Sequence, residues 1–501
     1  MRTGLIKSLK TLLPLEKEEL PQFFVLSYCI FAIAFIYNFL RPLKVTLVAS
    51  MSGSGAEVIP FLKLYGIIPA SVLMTYLFTW LSRRYSLLQI IYVFLSFFLG
   101  YYALFGFVLF PYTEAIRLHQ VSDFFTQYFP AGLKGLLACV EYWHISLFYV
   151  MCEIWVSSVL YLLFWGFVNE RVHMSAAARW YPLLNLAGNC ASIGAGTMGK
   201  WVAAESRTLS VLLDMNPSYL MTSLAASICL VLGCALVPFY RYAFLTMPVL
   251  EYGNQKHSGQ EIQDDRVSAS FWDSLKLVCT ERYVLFLLVM VLAYNFTFNL
   301  TDVVWTQKVN DYYRSNSLDM AYFMSYITQI KGFISVVLAL LAHLLIHHMG
   351  WRFSALVTPV VILLTSLLFF PVVLFTGSEW SLAWSHLFSP QDLMFLAIWA
   401  GGLQNATARS TKYSIYDSVR EMVYVPLSHD MRRKAKAILD GIGGRMGKAM
   451  GSIVFMVLQV LFGSLEASLP AIAIISIMVT VLWVYSIIRM DQLMKAKLGS
   501  R

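Results

Sequence analysis

The chain has 501 residues, of which 58% are hydrophobic and only 13% are charged, and its formal net charge is +9. A soluble domain carries about 25% charged residues, so this composition excludes a soluble protein and indicates one that crosses a membrane several times. The expected environment is a lipid bilayer, and nucleic acid is not an expected partner because no soluble basic domain carries the positive charge. The seven cysteines show no paired spacing, and we predict neither a metal site nor a cofactor nor a disulfide framework.

Runs of about 20 apolar residues, the length that a membrane helix needs, recur along the whole chain. We predict twelve spans, at 22–40, 58–82, 87–110, 142–168, 181–203, 219–243, 283–305, 321–347, 353–375, 391–411, 440–463 and 469–490. A polar stretch at 244–281 separates the sixth span from the seventh. The prediction is therefore an all-α integral membrane protein of major-facilitator type, with six-helix bundles at 1–243 and 282–501 joined by a cytoplasmic linker at 244–281.

The distribution of positive charge predicts the orientation of the spans. Segments on the side of the chain termini hold roughly three times as many Lys and Arg residues as segments on the other side, which favours cytoplasmic termini. The first 21 residues lack the pattern of a cleavable signal. We expect a multi-pass protein of the bacterial inner membrane, with the plastid inner envelope as the alternative.

Charged side chains lie inside, or at the edge of, several of these apolar spans. They are Lys63, Glu153, Asp302, Lys331, Arg445 and Lys448. A charge at mid-membrane costs about 2.5–3.5 kcal/mol on insertion scales, so such a group faces a watery cavity, an ionic partner or a charged cargo. Since cations are in excess, we expect the cargo to be an anion.

Three cations lie close together in the first two spans. Arg41 and Lys44 are three residues apart and share a face if the first helix continues through the apolar residues 45–51. Lys63 lies one turn inside the second span. Guanidinium and ammonium groups that converge on a cavity suit phosphate oxygens, so we predict phosphate binding by all three; the alternative for Arg41 and Lys44 is contact with lipid headgroups.

A second basic pair lies in the other half of the chain, in a glycine-rich stretch that opens the eleventh span. Its spacing does not fit a phosphate-binding P-loop. Gly443, Gly447 and Gly451 repeat every four residues, the pattern of a packed membrane helix. Arg445 and Lys448 then lie on neighbouring faces, and we predict that they bind phosphate and clamp a multiply charged anion between the two halves.

Two carboxylates occupy spans that otherwise carry few charges. Glu153 lies near the middle of the fourth span and Asp302 lies in the seventh, and we predict that both couple or gate transport. We expect Glu153 to pair with Lys63 and Asp302 to pair with Lys331, which is the third coupling or gating candidate. The alternative is that these are structural ion pairs between helices.

Several stretches resemble the nucleotide transporter family of plastids and obligate intracellular bacteria, the ATP/ADP translocases that are unrelated to the mitochondrial carrier. The words that carry the resemblance are 54–63 (SGAEVIPFLK), 163–167 (LFWGF) and 412–418 (KYSIYDS). The resemblance covers nearly the whole chain and implies a facilitator fold, no enzymatic reaction, and nucleotide exchange or proton-driven nucleotide import.

The resemblance also implies roles for individual residues. The family's intramembrane charges fall on Lys63, Glu153, Asp302 and a lysine of the segment that holds Lys436 and Lys448. With a nucleotide as cargo, Tyr149 and Asn185 are our candidates for contact with the nucleoside, although Asn185 suits a hydrogen bond between helices equally well. Lys412 and Lys436 are expected at the cytoplasmic mouth, either to attract anions or as part of the positive-inside bias.

Two departures from the family pattern concern acidic positions. Val45 follows Lys44 where an aspartate is usual, and Asp302 stands where a glutamate is usual. The interpretation is a secondary transporter of nucleoside phosphates, of the ATP/ADP exchange type. A proton-coupled symporter for another nucleotide is the alternative, and a membrane-embedded enzyme or a receptor fits the pattern less well.

Overall fold

The computed structural model of the protein describes residues 18–51, 55–128, 130–172, 174–247, 280–314, 316–376, 389–424, 426–428, 431, 435–436, 439 and 443–499. These ranges contain helices, turns and no strand. Most of the predicted linker at 244–281 lies outside the described residues, so the boundary between the two halves stays a prediction.

Long helices stand at every predicted span in the described part of the chain. They are α1 (Leu20–Met51), α2 (Gly55–Ser82), α3 (Leu87–Leu109), α4 (Trp143–Arg171), α5 (Met174–Leu213), α6 (Pro217–Thr246), α7 (Arg282–Tyr312), α8 (Ser317–Ala342), α9 (His348–Thr376), α10 (Pro390–Thr411), α11 (Gly444–Phe462) and α12 (Leu465–Gly499). Shorter helices connect α3 to α4 at Thr113–Ile116, His119–Thr126 and Lys134–Glu141.

Ten of these helices are long and apolar enough to cross a membrane. The other two, α5 and α10, are long enough but more polar, so a total of twelve membrane spans stays a prediction. Both helices pack against α8: Gly196 of α5 lies against Gln329, and Ser335 bonds to Ser410 of α10.

The first helix is longer than the apolar run that predicts it. It continues past Arg41 and Lys44 to Met51, as expected from the apolar residues that follow them, and Pro42 lies inside it. Both cations therefore lie inside the protein, which excludes the alternative that they reach the lipid headgroups.

Small residues bring helices into close contact, both between the halves and, as the glycine repeat predicts, within the second half. A Cβ atom added to Gly196 of α5 would lie 2.5 Å from the backbone nitrogen of Gln329 in α8. Within the second half, a Cβ added to Gly447 of α11 would lie 2.8 Å from the carbonyl oxygen of Leu292 in α7. Larger side chains at these positions would push the helices apart.

One end of the bundle, which we call the closed end, joins the two halves through the loops after α1, α5, α7 and α11. The backbone N–H of Ala56 donates to Gln307 Oε1 at 2.7 Å, and the hydroxyls of Ser218 and Ser317 lie 2.7 Å apart. Arg207 also pairs with Asp319 across the two halves. The opposite end carries the N-terminal end of α1 and the C-terminal end of α12.

Candidate functional site

Asp302, on the inner face of α7, accepts contacts from both halves of the chain. Its Oδ1 lies 3.8 Å from Arg41 Nη2 and 3.1 Å from Arg409 Nη2, and its Oδ2 lies 3.8 Å from Lys63 Nζ. Asn405 Nδ2 also donates to Oδ1, at 2.7 Å. A single carboxylate thus connects α1 and α2 of the first half with α7 and α10 of the second.

Arg409 is the member of this group that the sequence reasoning missed. It stands at the end of an apolar span, where the positive-inside rule explains a cation, but the structure buries it and stacks its guanidinium 4.4 Å from the centroid of the Phe298 ring. The helix does not end there, because π-helical residues Lys412–Tyr416 and the segment Asp417–Met422 extend it. The hydrophobicity of the run gives no sign of this continuation.

Beside this group, Lys44 and Glu153 form a second ion pair, between α1 and α4. The Lys44 side chain is 1% exposed, and its Nζ lies 4.5 Å from the centroid of the Tyr149 ring. The expected pairing of Glu153 with Lys63 is therefore wrong. Because α1 packs against α4, Lys44 rather than Lys63 reaches the Glu153 carboxylate. Tyr149 is 2% exposed beneath this pair, so its role as a nucleoside contact stays a prediction that this conformation does not favour.

Lys63 is held by polar groups of the second half. Its Nζ donates to Asn299 Oδ1, and Asn299 Nδ2 donates to the carbonyl oxygen of Lys448 and to Ser452 Oγ, both at 2.9 Å. The Lys448 side chain is exposed, and its charge acts on both Lys63 and Glu153. The structure thus brings the backbone of Lys448 near Lys63, and Arg445 is exposed one turn earlier in α11. Phosphate binding by Arg445 and Lys448 stays a prediction.

Lys331 of α8 lies beside the same group but does not pair with Asp302 as expected. Its Nζ donates to Asn38 Oδ1 of α1 at 2.6 Å, and no carboxylate forms an ion pair with it in the described residues. Lys331 lines a cavity between the halves together with Arg41, Asp302, Thr328 and Asn405. Asn38, a neutral residue that sequence reasoning passed over, occupies the place expected for an acid.

Cations outnumber acids in this group, which we call the central cluster. Its members in the described part of the chain are Arg41, Lys44, Lys63, Glu153, Asp302, Lys331 and Arg409. The two carboxylates cannot neutralise all the cations of the cluster, so a net positive charge remains. The nearby Lys448 increases this net charge. Unpaired cations at the contact between two membrane-embedded halves are costly unless an anion joins them, so the cluster suits an anionic ligand.

The remaining candidates lie away from the central cluster or at its edge. Asn185 is exposed on α5 and makes no hydrogen bond among those found in the described residues, so its role stays a prediction. Lys412 Nζ donates to Asp417 at 3.0 Å, and Lys436 Nζ donates to Glu421 at 2.6 Å. Both predicted mouth lysines are therefore paired with acids in this conformation.

Helix geometry around the site is irregular. π-helical segments occur at Leu62–Ile67, Val156–Phe164 and Lys412–Tyr416, and the first of them carries Lys63. Such wide helical turns are rare in proteins, and those that occur often lie at functional sites. No group of three or more His, Cys, Asp or Glu side chains suited to a metal ion occurs in the ranges that the structure describes.

The helical bundle, with a charged site between its halves, defines a polytopic membrane protein with a fold of the major-facilitator type. A solved bacterial homologue of the iron transporter ferroportin, in an inward-facing state, shares this fold with a TM-score of 0.57, covering 95% of this chain and 99% of the other at 11% identity.

The profile of the TLC ATP/ADP transporter family matches residues 2–494, and the chain belongs to this family. ADP,ATP carrier protein 2 of Chlamydia pneumoniae is 34% identical over 483 residues, covering 94% of this chain and 88% of the relative. The chloroplastic ADP,ATP carrier protein 2 of Arabidopsis thaliana is 31% identical over 468 residues, covering 93% and 74% respectively. The resemblance read from the sequence is thereby confirmed, and relatives of both kinds indicate a bacterial or plastid membrane.

Proposed function

We propose that the protein exchanges nucleotides of the ATP and ADP type across a membrane, and that the central cluster binds their phosphates. One observation carries the proposal: cations of both halves meet at Asp302 and outnumber the acids there. A nucleoside polyphosphate supplies the negative charge that such a group lacks, and guanidinium and ammonium groups bind phosphate oxygens well. The family and the names of the relatives support the same cargo.

Asp302 gives the exchange a physical basis. Its carboxylate holds Arg41 and Lys63 of the first half against the second half. A polyphosphate that enters the cluster competes with Asp302 for these cations and so weakens the tie between the halves. These ion pairs form again once the cargo leaves, so the halves move relative to each other readily only when cargo is bound. One-for-one exchange requires this dependence on bound cargo.

Glu153 and Asp302 favour a second candidate function, proton-coupled import of a nucleotide other than ATP. Carboxylates between the halves of a membrane transporter are common carriers of coupling protons. In this alternative, protonation of one of the two acids replaces the outgoing nucleotide as the event that resets the transporter.

We propose that the protein lies in the inner membrane of a bacterium. Its orientation is the one that the charge distribution predicts, with both termini in the cytoplasm. The plastid inner envelope is the alternative. The proposed division into bundles at 1–243 and 282–501 follows from the same layout.

Transport into liposomes tests the function. Purified protein is reconstituted into vesicles that are either empty or preloaded with ADP. An inward proton gradient is imposed, and labelled ATP and then other labelled nucleotides are added outside in turn. We expect uptake into preloaded vesicles and little uptake into empty ones, with no effect of a protonophore. Uptake into empty vesicles that a protonophore abolishes supports symport instead. No uptake of any nucleotide, from protein that is folded, contradicts both functions.

A further inference from the structure

Two exposed tyrosines, one from each half, lie beyond the central cluster toward the end that carries the chain termini. Tyr161 of α4 is 57% exposed and Tyr413, just after α10, is 44% exposed. Tyr161 follows Glu153 by eight residues, which places it on the order of 10 Å further along α4, and Tyr413 follows Arg409 by four residues, about 6 Å. Both tyrosines lie in π-helical segments, as Lys63 does.

These tyrosines face the contact between the halves rather than the lipid. Charged and titratable groups of the second half lie near Tyr161, namely Tyr413, Lys412, Asp417 and Arg420. Both tyrosines also act on Tyr37 of α1, whose ring lies 5.8 Å from Lys44 Nζ in the central cluster. An aromatic side chain that faced lipid on the outside of α4 would have no such neighbours.

A row of aromatic rings leads from the central cluster toward the π-helical segment that holds Tyr413. Phe298 and Tyr294 lie one and two turns before Asp302 on α7, and their rings stack with centroids 5.8 Å apart. Arg409 covers Phe298, while Tyr416 stacks on Tyr294. These two rings are therefore already covered by protein groups.

Tyr413 lies in the same π-helical segment as Tyr416, and its side chain is partly exposed. Lys412 Nζ lies 4.3 Å from the centroid of its ring and is held there by Asp417. The attraction between a cation and the face of an aromatic ring stabilises this contact and holds the ring in one orientation. Part of this ring and more than half of the Tyr161 side chain of the other half are therefore accessible to a ligand.

We propose that Tyr161 and Tyr413 form an aromatic clamp that stacks the base of a nucleotide whose phosphates lie in the central cluster. This inference rests on the proposed function and assigns the base to a site that neither Tyr149 nor Asn185 occupies. The spacing of one to two helical turns between cluster and clamp is the scale of the ribose that joins base and phosphates. Since every base has an aromatic face, stacking alone gives affinity with little base selectivity.

A comparison of two ligands tests the clamp. ATP and inorganic tripolyphosphate are titrated into the purified full-length protein, because tripolyphosphate carries the phosphate chain without a base. We expect Tyr413→Ala and Tyr161→Ala each to weaken ATP binding about tenfold or more and to leave tripolyphosphate binding unchanged. Retained tripolyphosphate binding also demonstrates that each variant is folded.

Two further variants sharpen the test. Tyr413→Phe keeps the ring and is expected to bind ATP as the wild type does, whereas loss of affinity equal to that of the alanine variant contradicts stacking. Tyr76→Ala removes a tyrosine that is exposed on α2 and is expected to bind both ligands normally. Unchanged ATP affinity in both clamp alanine variants overturns the clamp but leaves the proposed function intact, while a wild type that binds neither ligand overturns the proposed function itself.

Discussion

Lys63 Nζ lies 3.8 Å from Asp302 Oδ2, and this contact ties α2 of the first half to α7 of the second. Asp302 carries Arg41 and Arg409 on its other oxygen. Removing a single carboxylate would therefore leave three cations without their shared partner, and this makes Asp302 the most informative position in the protein.

We expect Asp302→Asn to destabilise the protein and to abolish exchange. Breaking a buried ion pair by removing one partner costs about 3–5 kcal/mol, because the remaining charge is left uncompensated. The melting temperature of the detergent-purified protein and uptake into liposomes measure the two effects. Asp302→Glu keeps the charge and is expected to retain both. Added ATP should stabilise the Asn variant more than the wild type, and an Asn variant with wild-type stability would refute the shared-partner role.

The pair formed by Lys44 and Glu153 allows structural and functional roles to be separated. Lys44→Met leaves Glu153 unpaired next to α1, so we expect a lower melting temperature. In the double variant Lys44→Met with Glu153→Gln, both charges are gone and stability should return toward that of the wild type. If Glu153 also couples transport, exchange stays defective in the stable double variant. Full recovery of exchange would limit the pair to a structural role.

The closed end offers a covalent test of alternating access. The hydroxyls of Ser218 and Ser317 lie 2.7 Å apart, a spacing that allows a disulfide when both residues are cysteine. We expect oxidation of the double variant Ser218→Cys with Ser317→Cys to lock the closed end and stop exchange, and a reductant to restore it. The two single variants and the wild type, which has cysteines of its own, control for other oxidation. A cross-linked protein that transports normally would mean that the closed end does not open.

Helix packing of α11 against α7 can be probed with a pair of glycines. A Cβ at Gly447 would meet Asn295 Cβ and the Leu292 carbonyl oxygen, both at 2.8 Å, so the helices must separate. Because Asn299 on that face of α7 holds Lys63, we expect Gly447→Ala to reduce the rate of exchange. Gly100→Ala is the matched control, since nothing lies within 4 Å of the added carbon. Equal rates in the two variants would argue against a role for this packing.

The sequence predicted the class of the fold and most of the charges at the site. Hydrophobic runs locate the helices because a membrane demands about 20 apolar residues per span, and intramembrane charges stand out against them. The continuation of α1 past Arg41 and Lys44 and the packing of Gly447 were both visible as local patterns. Both features are visible in the sequence because they depend on residues that are close together along the chain.

The partners of those charges were not predictable in the same way. Glu153 pairs with Lys44 rather than Lys63, and Lys331 binds Asn38 rather than Asp302, because the angles at which helices pack decide which side chains meet. Hydrophobicity alone places Arg409 at a membrane edge, because the run of apolar residues ends near it while the helix continues. Contacts between distant segments require the tertiary structure.

The most direct test of the account concerns Lys63, the first-half cation that contacts Asp302 and Asn299 of the second half. We expect this cation to bind the phosphates of the cargo. Exchange of labelled ATP into ADP-loaded liposomes is compared for the wild type, Lys63→Ala and Lys495→Ala, the last removing an exposed lysine near the end of α12. We expect Lys63→Ala to insert into the membrane and lose exchange while Lys495→Ala exchanges normally. Exchange at the wild-type rate by Lys63→Ala would contradict the binding of polyphosphate in the central cluster.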